Sequence, residues 1–503
     1  MEHLDVVIVG AGLSGIGAAC HLEKHCPGKT YTLLESRHTL GGTWDLFRYP
    51  GIRSDSDMHT LGFSFKPWKA RKSIADGPAI LEYIIEAADE YEVHDHIRIH
   101  HRLRKASWAG ADSRWILEIE KTDSQGTGDS PEPIDDPPPI ESRQRVQLSC
   151  NFLFMCSGYY NYEHGHRPEF EGSDRFKGQI VDPQFWPEDL DYTGKHVAVI
   201  GSGATAITLV PSMAEKAAHV TMVQRSPTYV VSRPDEDVIA NTLRKFLPEK
   251  WAYGITRFKN VQMQRYIYGR TRTQPEKVKK MILDQVRDHL GPDYDVETHF
   301  TPDYNPWDQR LCLIPNGDLF ETIKDGRVSI VTDQIDCFTE SGIQMESGEK
   351  VEADIIVTAT GLELRVLGGV EFVLDGETID FAKTWTYKGM MYSDVPNLVQ
   401  TFGYINASWT LRADLTSEYV CRLLNRMDEL GVRRVVACLR PEDEGMPARP
   451  WIDDFTPGYM QRMMHLFPKQ GDHSPWQNTQ DYTADKKMIR NAPLEDGALV
   501  FES

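Results

Sequence analysis

Two glycine-rich segments have the residue types and the spacing that bind phosphates. The first contains Gly10, Gly12, Ser14 and Gly15, and the second contains Gly201, Gly203, Thr205 and Ala206. Both follow the pattern G-x-G-x-x-G/A, whose small residues permit a tight turn, close approach of the backbone to a pyrophosphate, and close packing of the next helix. The N–H groups at the start of that helix add donors for the phosphates. The sequence therefore predicts two dinucleotide sites.

The residues that end the second strand of each unit predict different nucleotides for the two sites. In the first unit this residue is Glu35, and a carboxylate there accepts hydrogen bonds from ribose hydroxyls and repels a 2′-phosphate. In the second unit the strand ends in Arg225 and Ser226, and a guanidinium matches the geometry of a phosphate. We expect FAD or NAD at the first site and NADPH at the second.

Each glycine-rich turn lies between a predicted strand and a predicted helix. The first unit has strands at 5–9 and 31–35, and the second has strands at 196–200 and 220–224. Parallel strands joined by helices indicate an α/β fold with two Rossmann-like dinucleotide-binding domains. We expect an FAD-binding domain formed by residues 1–165 and 363–503, and an NADP-binding domain formed by residues 166–362.

Two segments depart from the alternation of strands and helices. Residues at about 232–300 are polar with helical spacing, which predicts an insertion with helices over 238–246 and 276–290. Residues 122–146 are rich in Pro, Asp and Ser and separate predicted strands at 115–120 and 146–155. We expect them to form the disordered tip of a long hairpin.

Residues 41–55, directly after the first unit, read Gly-Gly-Thr-Trp-Asp-Leu-Phe-Arg-Tyr-Pro-Gly-Ile-Arg-Ser-Asp. They fit the pattern (A/G)-G-x-W-x4-(F/Y)-P-(G/M)-x3-D and resemble the motif of type I Baeyer–Villiger monooxygenases. Residues 45–57 and 305–313 are most similar to the ethionamide-activating branch, and the resemblance extends over nearly the whole chain. It implies an NADPH- and O2-dependent flavoprotein that converts ketones to esters or lactones through a flavin C4a-peroxide, with sulfoxidation as a side activity.

The same resemblance implies a catalytic pair. Arg310 resembles the active-site arginine of this family, which also contacts NADP, and Asp55 resembles the carboxylate that orients it. A guanidinium suits the role because it is permanently charged and cannot protonate a peroxide. It can also stabilise the oxyanion that forms on a ketone.

Other roles follow from the resemblance. Thr43 and Trp44 line the flavin, and Leu103, in a strand predicted at 97–104, contacts the adenine. Ser408 is predicted as the N-cap of a helix that points toward the flavin, so that Trp409 borders the substrate pocket. Plain packing in the core is the alternative for Trp44 and for Trp409.

Two positions depart from the family pattern. The segment 176–187 fits the signature F-x-G-x3-H-x3-W-P except that Asp182 stands where histidine is expected. In the family this segment connects the domains, so the change puts domain coupling in doubt more than the chemistry. Gln309 stands where much of the family has lysine, which leaves Arg225 a larger share of the phosphate binding.

Three alternative functions stay open to different degrees. A flavin monooxygenase acting on amines, sulfides or thiocarbonyls is disfavoured by Arg310 but left open by Asp182. A flavin-binding regulatory protein without turnover is disfavoured by the presence of both Arg310 and Asp55. A pyridine-nucleotide disulfide reductase lacks its dithiol, because the eight cysteines include no C-x-x-C pair.

Net charge and apolar content limit the kinds of molecule that this protein can bind. The formal charge of −20 argues against nucleic acid as a ligand. A strand predicted almost at the first residue leaves no room for a signal peptide, and no run of about 20 apolar residues indicates a spanning helix. We expect a cytoplasmic enzyme with free thiols, a small ketone or sulfide substrate, and an oligomeric state that the sequence does not reveal.

Contact of the 232–300 segment with a membrane surface stays open. Four basic residues follow one another closely in the second predicted helix, at Lys277, Lys279, Lys280 and Arg287. Acidic residues are interspersed among them, which favours a solvated helix face over a membrane-facing one.

Overall fold

The structure, a computed structural model, describes residues 1–121, 144–453 and 455–503. Its strands are β1 (Glu2–Val9), β2 (Tyr31–Leu34), β3 (Ile97–Arg98), β4 (His101–Ala109), β5 (Arg114–Lys121), β6 (Arg145–Met155), β7 (Gln179–Val181), β8 (His196–Ile200), β9 (His219–Gln224), β10 (Tyr229–Arg233), β11 (Leu311–Pro315), β12 (Val328–Thr332), β13 (Ile335–Thr339), β14 (Gly342–Met345), β15 (Lys350–Glu352), β16 (Ile355–Thr358), β17 (Glu371–Leu374), β18 (Glu377–Thr378), β19 (Thr386–Tyr387), β20 (Met391–Tyr392), β21 (Leu398–Gln400), β22 (Arg434–Ala437) and β23 (Leu499–Glu502).

The α-helices are α1 (Leu13–His25), α2 (Thr43–Leu46), α3 (Met58–Leu61), α4 (Gly77–Glu90), α5 (Ala204–Met213), α6 (Val238–Phe246), α7 (Glu249–Thr273), α8 (Pro275–Leu290), α9 (Val296–Phe300), α10 (Asp318–Lys324), α11 (Trp409–Leu430), α12 (Gly458–Met463) and α13 (Tyr482–Asp485). In the described ranges, no helix is both long enough and apolar enough to cross a bilayer.

The first predicted βαβ unit is confirmed. Strand β1 pairs in parallel with β2, and Val6 lies opposite Tyr31. The apolar run at the end of β1 is buried, as expected for a parallel strand covered on both faces. Within the described residues these strands belong to a nine-stranded sheet of order β18-β17-β4-β5-β6-β1-β2-β3, in which β21 also pairs with β6.

The prediction of one continuous strand over 97–104 is wrong, because the structure has two strands there, β3 and β4. Strand β3 continues the parallel part of the sheet beside β2, whereas β4 pairs antiparallel with β5. Between them, His100 has φ +59° and its N–H donates to the Arg37 carbonyl at 3.0 Å. This left-handed residue turns the chain from one pairing to the other.

The predicted hairpin strands pair as expected. Strands β5 and β6 are antiparallel, and Trp115 lies opposite Cys150. The predicted disordered tip at 122–146 lies almost entirely outside the described residues.

The second predicted βαβ unit is also confirmed. Strand β8 pairs in parallel with β9, and Val197 lies opposite Val220. In the described part of the chain they belong to a five-stranded parallel sheet of order β12-β9-β8-β16-β7. The strands of this sheet lie between residues 166 and 362, while those of the larger sheet lie before and after that range. The chain passes from the larger sheet to the smaller one near Asn161 and returns near Glu363. These two connecting segments lie next to each other, and the Asn161 N–H donates to the Glu363 carbonyl at 2.8 Å.

The segment 232–300 contains α6 to α9. The helix predicted over 238–246 has the bounds of α6, and the helix predicted over 276–290 corresponds to α8. Helix α7 was not predicted, although it has 25 residues. Its outward face carries bulky apolar side chains, so that no single apolar stripe marks the side that packs on the protein.

Candidate active site

The first glycine-rich turn is held by close backbone contacts. Gly10 has φ +102°, and a Cβ there would lie 2.6 Å from the Cys156 carbonyl oxygen. A Cβ at Gly15 would lie 1.8 Å from the Gly10 carbonyl oxygen, so only glycine lets α1 approach β1 this closely. Helix α1 begins after Gly12, and no described side chain caps it. Its N–H groups are therefore available to a phosphate.

Glu35 is buried at the end of β2 and faces this turn. One carboxylate oxygen accepts the Ala11 N–H at 2.8 Å, and the other accepts the Arg37 N–H at 2.9 Å. These two bonds fix the carboxylate while leaving lone pairs for ribose hydroxyls.

The second glycine-rich turn is as crowded as the first at its first glycine but has open space at its second. Gly201 has φ +133°, and a Cβ there would lie 2.3 Å from the Ala359 carbonyl oxygen. At Gly203 an added Cβ would meet no described atom within 4 Å. Ala206 is fully buried where the first turn has Gly15. Helix α5 again begins without a side-chain cap among the described residues.

Arg225 and Ser226 lie exposed after β9, beside the second turn. The Ser202 hydroxyl donates to the Ser226 carbonyl at 3.0 Å, which ties this loop to the glycine-rich turn. Arg225 has no hydrogen-bond or ion-pair partner among the residues that the structure describes. Its guanidinium is therefore available to an anion from solvent.

The segment 41–55 connects the two nucleotide turns. At its start, a Cβ on Gly42 would lie 2.9 Å from the Cα of Gly12 in the first turn. In its second half, a Cβ on Gly51 would lie 1.9 Å from the Ser212 hydroxyl oxygen of α5. The Tyr49 hydroxyl lies beside the Thr205 side chain of the second unit. The glycines of this segment are thus required by contacts with both units.

One cavity of about 2180 Å³ spans the region between the two turns. Its lining includes eleven of the predicted site residues, namely Gly10, Gly12, Ser14, Glu35, Thr43, Trp44, Asp55, Leu103, Thr205, Arg310 and Trp409. The other predicted residues lie outside this lining, namely Gly15, Gly201, Gly203, Ala206, Arg225 and Ser226. The structure thus brings the first turn and the predicted catalytic pair together, and only the start of α5 reaches them from the second unit.

Arg310 lies in the wall of this cavity next to Asp55. The distance from its Nη1 to the Asp55 Oδ2 is 3.6 Å, and its side chain is 32% exposed. Its guanidinium also lies 5.8 Å from the centre of the Phe455 ring. Burial lowers the pKa of Arg310, whereas the negative charge of Asp55 raises it, and the net shift is upward. The side chain therefore stays cationic at physiological pH.

The loop that carries Arg310 is anchored to helix α7. Arg272 donates to the Asp308 carboxylate at 2.9 Å and to the Pro306 carbonyl at 2.8 Å. Asp308 in turn accepts the Asn305 N–H at 3.1 Å. The helical insertion thus determines where the arginine lies.

Trp409 connects the first turn to an aromatic wall. Its indole N–H donates to the Ser14 hydroxyl at 2.7 Å, and its ring stacks on Tyr159 at 5.1 Å. Burial raises the pKa of Tyr159 to about 12, which keeps this phenol neutral beside Arg310. Ser408 stands at the predicted N-cap position, but its hydroxyl bonds with Thr60 at 2.6 Å instead of capping the helix.

Asp182, which stands in place of the family histidine, pairs with Arg167. The Arg167 Nε donates to the Asp182 carboxylate at 3.1 Å, and the other Asp182 oxygen accepts the Gln184 N–H at 2.9 Å. Arg167 itself lines the cavity. The segment 176–187 is therefore joined to the cavity wall by an ion pair.

Sequence reasoning missed the residues that follow β6. Ser157, Gly158, Tyr159 and Tyr160 all line the cavity. The Ser157 hydroxyl is buried and has no partner among the described residues. A signal was available, because the carboxyl end of a strand beside β1 must lie at the same edge as the first turn.

Comparison with known proteins identifies the family. Residues 8–74 match the NAD(P)-binding Rossmann-like domain, and residues 141–368 match the flavin-binding monooxygenase-like family. The chain is 52% identical over 501 residues to the FAD-containing monooxygenase EthA of Mycobacterium tuberculosis, covering 99% of this chain and 98% of that protein. It belongs to the FAD-containing monooxygenases.

Other members of this FAD-containing monooxygenase family and several solved structures are similar over most of their length. The chain is 47% identical over 504 residues to the probable FAD-binding monooxygenase AlmA of Acinetobacter baylyi, covering 100% of this chain and 96% of that protein. A steroid monooxygenase bound to NADP matches with a TM-score of 0.76 and 21% identity over the whole of both chains. A polycyclic ketone monooxygenase from Thermothelomyces thermophila matches with a TM-score of 0.76 and 18% identity, covering 100% of this chain and 90% of that one. The predicted α/β fold and the predicted family are confirmed.

Proposed function

We propose that this FAD-containing monooxygenase is a Baeyer–Villiger enzyme. The reaction consumes a ketone, NADPH, a proton and O2, and forms an ester or lactone, NADP+ and water. One oxygen atom enters the carbon skeleton beside the carbonyl, and the other leaves as water. Sulfoxidation of a sulfide is the proposed side activity.

The observation that carries this proposal is the position of Arg310. A permanently charged guanidinium lines the same cavity as the first nucleotide turn and the start of α5. Addition to a ketone carbonyl creates an oxyanion, and a fixed cation at that point stabilises it without reorganisation.

The residues around the cavity fit FAD at the first site. The uncapped start of α1 provides phosphate donors, and the fixed Glu35 carboxylate provides ribose acceptors. Ser157, whose buried hydroxyl lacks a partner among the described residues, lies in the lining of the same cavity. When bound and reduced, FAD supplies the activation of O2.

The second turn fits NADPH. Gly203 leaves open space for a pyrophosphate, and Arg225 and Ser226 offer donors for a 2′-phosphate. The Gln309 side chain cannot supply the charge of the lysine found in much of the family. We propose that Arg225 therefore carries most of the specificity for NADPH over NADH.

The protein's own part in the reaction is to hold charge and to exclude water. Asp55 orients Arg310, and the Arg272–Asp308 pair holds the loop in place. Thr43, Trp44 and Leu103 line the FAD side, and Trp409 with Tyr159 forms an apolar wall for the ketone. An apolar wall that excludes water strengthens the electrostatic interaction of Arg310 with a developing negative charge.

We also propose the domain division and the location. The division into 1–165 with 363–503 and 166–362 is supported by the membership of strands in the two large sheets. A cytoplasmic location is supported by the eight cysteines, all of which lie in described parts of the chain and are free.

Substitution Arg310→Ala tests the proposed activity. We expect the variant to bind FAD and to oxidise NADPH, with the reducing equivalents released as hydrogen peroxide. Ester formation from a cyclic ketone should fall by about 100- to 1000-fold, because one preorganised charge is lost. Product formation is measured by chromatography and NADPH oxidation by absorbance.

Arg434→Ala is the matched control. It also removes an arginine that pairs with a carboxylate, Glu502, but neither residue lines the cavity. It should keep the ratio of ester formed to NADPH consumed. Ester formation by Arg310→Ala at the wild-type rate would refute the role of Arg310. A wild-type enzyme that oxidises a sulfide but no ketone would instead be a heteroatom monooxygenase.

A further inference from the structure

Helices α6 and α7 expose an unusual number of large apolar side chains. We name six of them the apolar hairpin face, namely Val238, Ile239, Phe246, Trp251, Ile255 and Phe258. Phe246 is 80% exposed, Trp251 is 70% exposed and Phe258 is 67% exposed. Apart from Met1, every large apolar side chain that is more than half exposed in the described residues lies between 238 and 281. A concentration of this kind marks an interaction surface.

The exposure follows from the way α7 packs. Trp251, Ile255 and Phe258 recur at helical spacing on one side of α7. The opposite side is held to the protein by Arg257, which donates to the Gly62 carbonyl at 2.7 Å and to the Asp414 carboxylate at 3.2 Å. The helix therefore cannot rotate its apolar side inward, and no other part of the described chain covers that side.

The charge of the hairpin is opposite to that of the rest of the protein. Residues 238–273 contain eight Lys or Arg residues and one Glu, a formal charge of +7. Since the whole chain carries −20, the rest of it carries −27. Lys245, Lys250 and Arg265 are exposed and have no ion-pair partner within the described ranges.

In the neighbouring helix α8, acidic residues offset part of the basic charge. Lys280 pairs with Asp284 at an interaction distance of 2.5 Å, and Arg287 also pairs with Asp284 at 3.2 Å. Two of its four lysine and arginine side chains are thus paired within the helix, and a third, Lys279, donates to the Pro302 carbonyl at 3.0 Å. In the described residues, α6 and α7 thus place three exposed basic side chains without an ion-pair partner beside the apolar hairpin face.

We propose that the apolar hairpin face docks on the surface of an anionic phospholipid bilayer. Exposed aromatic and aliphatic side chains flanked by lysine and arginine are the composition of a helix that lies in the membrane interface. The large negative charge elsewhere would be repelled by such a surface, so only this face can approach it. A second copy of the chain is a poorer occupant, because a two-fold contact would bring like charges together.

Vesicle flotation of the FAD-loaded protein tests this proposal. One set of vesicles contains phosphatidylcholine alone, and the other contains about one third phosphatidylglycerol. Wild-type protein should float with the anionic vesicles and more weakly with the neutral ones. Higher salt should weaken the anionic binding, because exposed charges are screened.

Two variants separate the apolar and the charged contributions. The variant Phe246→Ser/Trp251→Ser/Phe258→Ser should bind anionic vesicles at least about tenfold more weakly. The variant Lys245→Gln/Lys250→Gln should lose about 30-fold, since each lysine contributes about fivefold near an anionic surface. The matched control Ile180→Ser/Leu439→Ser replaces exposed apolar residues elsewhere and should bind like the wild type.

Retention of bound flavin, read from its absorbance, verifies that each variant is folded and does not depend on the proposed oxygenation. Sedimentation velocity is measured in parallel. The proposal is overturned if wild-type protein floats with neither vesicle, or if the apolar variant floats as strongly as wild type. It is also overturned if the wild type is a dimer that the apolar variant converts to monomers, because a second copy would then occupy the face.

Discussion

The two nucleotide sites share a turn but differ in how far the protein closes around them. At the first site Gly15 packs against Gly10, the segment 41–55 covers the turn, and Glu35 is buried with two backbone hydrogen bonds. At the second site an added Cβ at Gly203 meets no described atom, and Arg225 is exposed without a partner among those residues.

This difference suits two modes of cofactor binding. A buried carboxylate that is already fixed and a covered turn favour a nucleotide that stays bound, because little reorganisation accompanies its binding. An exposed guanidinium next to an open turn favours a nucleotide that enters and leaves in each cycle. We therefore propose a resident FAD and an exchanging NADPH, and the following substitutions test each side of that contrast.

The largest effect is expected from Gly15→Ala. Its Cβ would lie 1.8 Å from the Gly10 carbonyl oxygen, so α1 must move away from β1. We expect the free energy of unfolding to fall by about 3 kcal/mol and bound FAD to be lost. Thermal denaturation and the flavin absorbance of the purified protein measure both effects.

Gly203→Ala is the comparison variant in the second turn, at the position equivalent to Gly12, because the position equivalent to Gly15 is already alanine. An added Cβ there meets no described atom within 4 Å, so the free energy of unfolding should change by less than about 0.5 kcal/mol. FAD content should stay at the wild-type level, while the KM for NADPH rises. Equal loss of FAD in both variants would show that the two turns do not differ as the contacts indicate.

An intermediate effect is expected from Arg225→Ala. Loss of a charge-assisted contact with the 2′-phosphate should raise the KM for NADPH by about 30-fold. The KM for NADH should change little, because NADH has no such phosphate. Steady-state oxidation of both nucleotides gives the ratio, and an unchanged preference would place the phosphate away from Arg225.

The smallest effect is expected from Glu35→Gln. The amide keeps one acceptor but presents an N–H group to the Ala11 or the Arg37 N–H, so one of these hydrogen bonds is lost. Affinity for FAD should fall by about tenfold, measured by flavin titration of the apoprotein. The KM for NADPH should not change, and a change there would contradict the assignment of Glu35 to the first site alone.

Much of the fold was predictable because the two βαβ units are local patterns. The bounds of β8 and α6 follow directly from apolar spacing, and the glycine turns follow from their motif. The strand predicted over 97–104 was wrong, because its interruption at His100 depends on which strand each half pairs with. Helix α7 was missed because its exposed face is apolar. Hydrophobic periodicity predicts an amphipathic helix only when one face is apolar and the opposite face is polar.

The sequence by itself determined the family, the two nucleotide turns, and the opposite charges of Glu35 and Arg225, because each of these is encoded within a short segment. Tertiary structure alone decided that Gly42 contacts the first unit and Gly51 the second, and that Ser157 and Tyr159 line the cavity. It also decided that the loop before Arg310 is held by Arg272 from α7, and that the other side of this helix is left apolar and exposed. These features depend on contacts between residues far apart in the chain, and spacing along a sequence carries no record of such contacts.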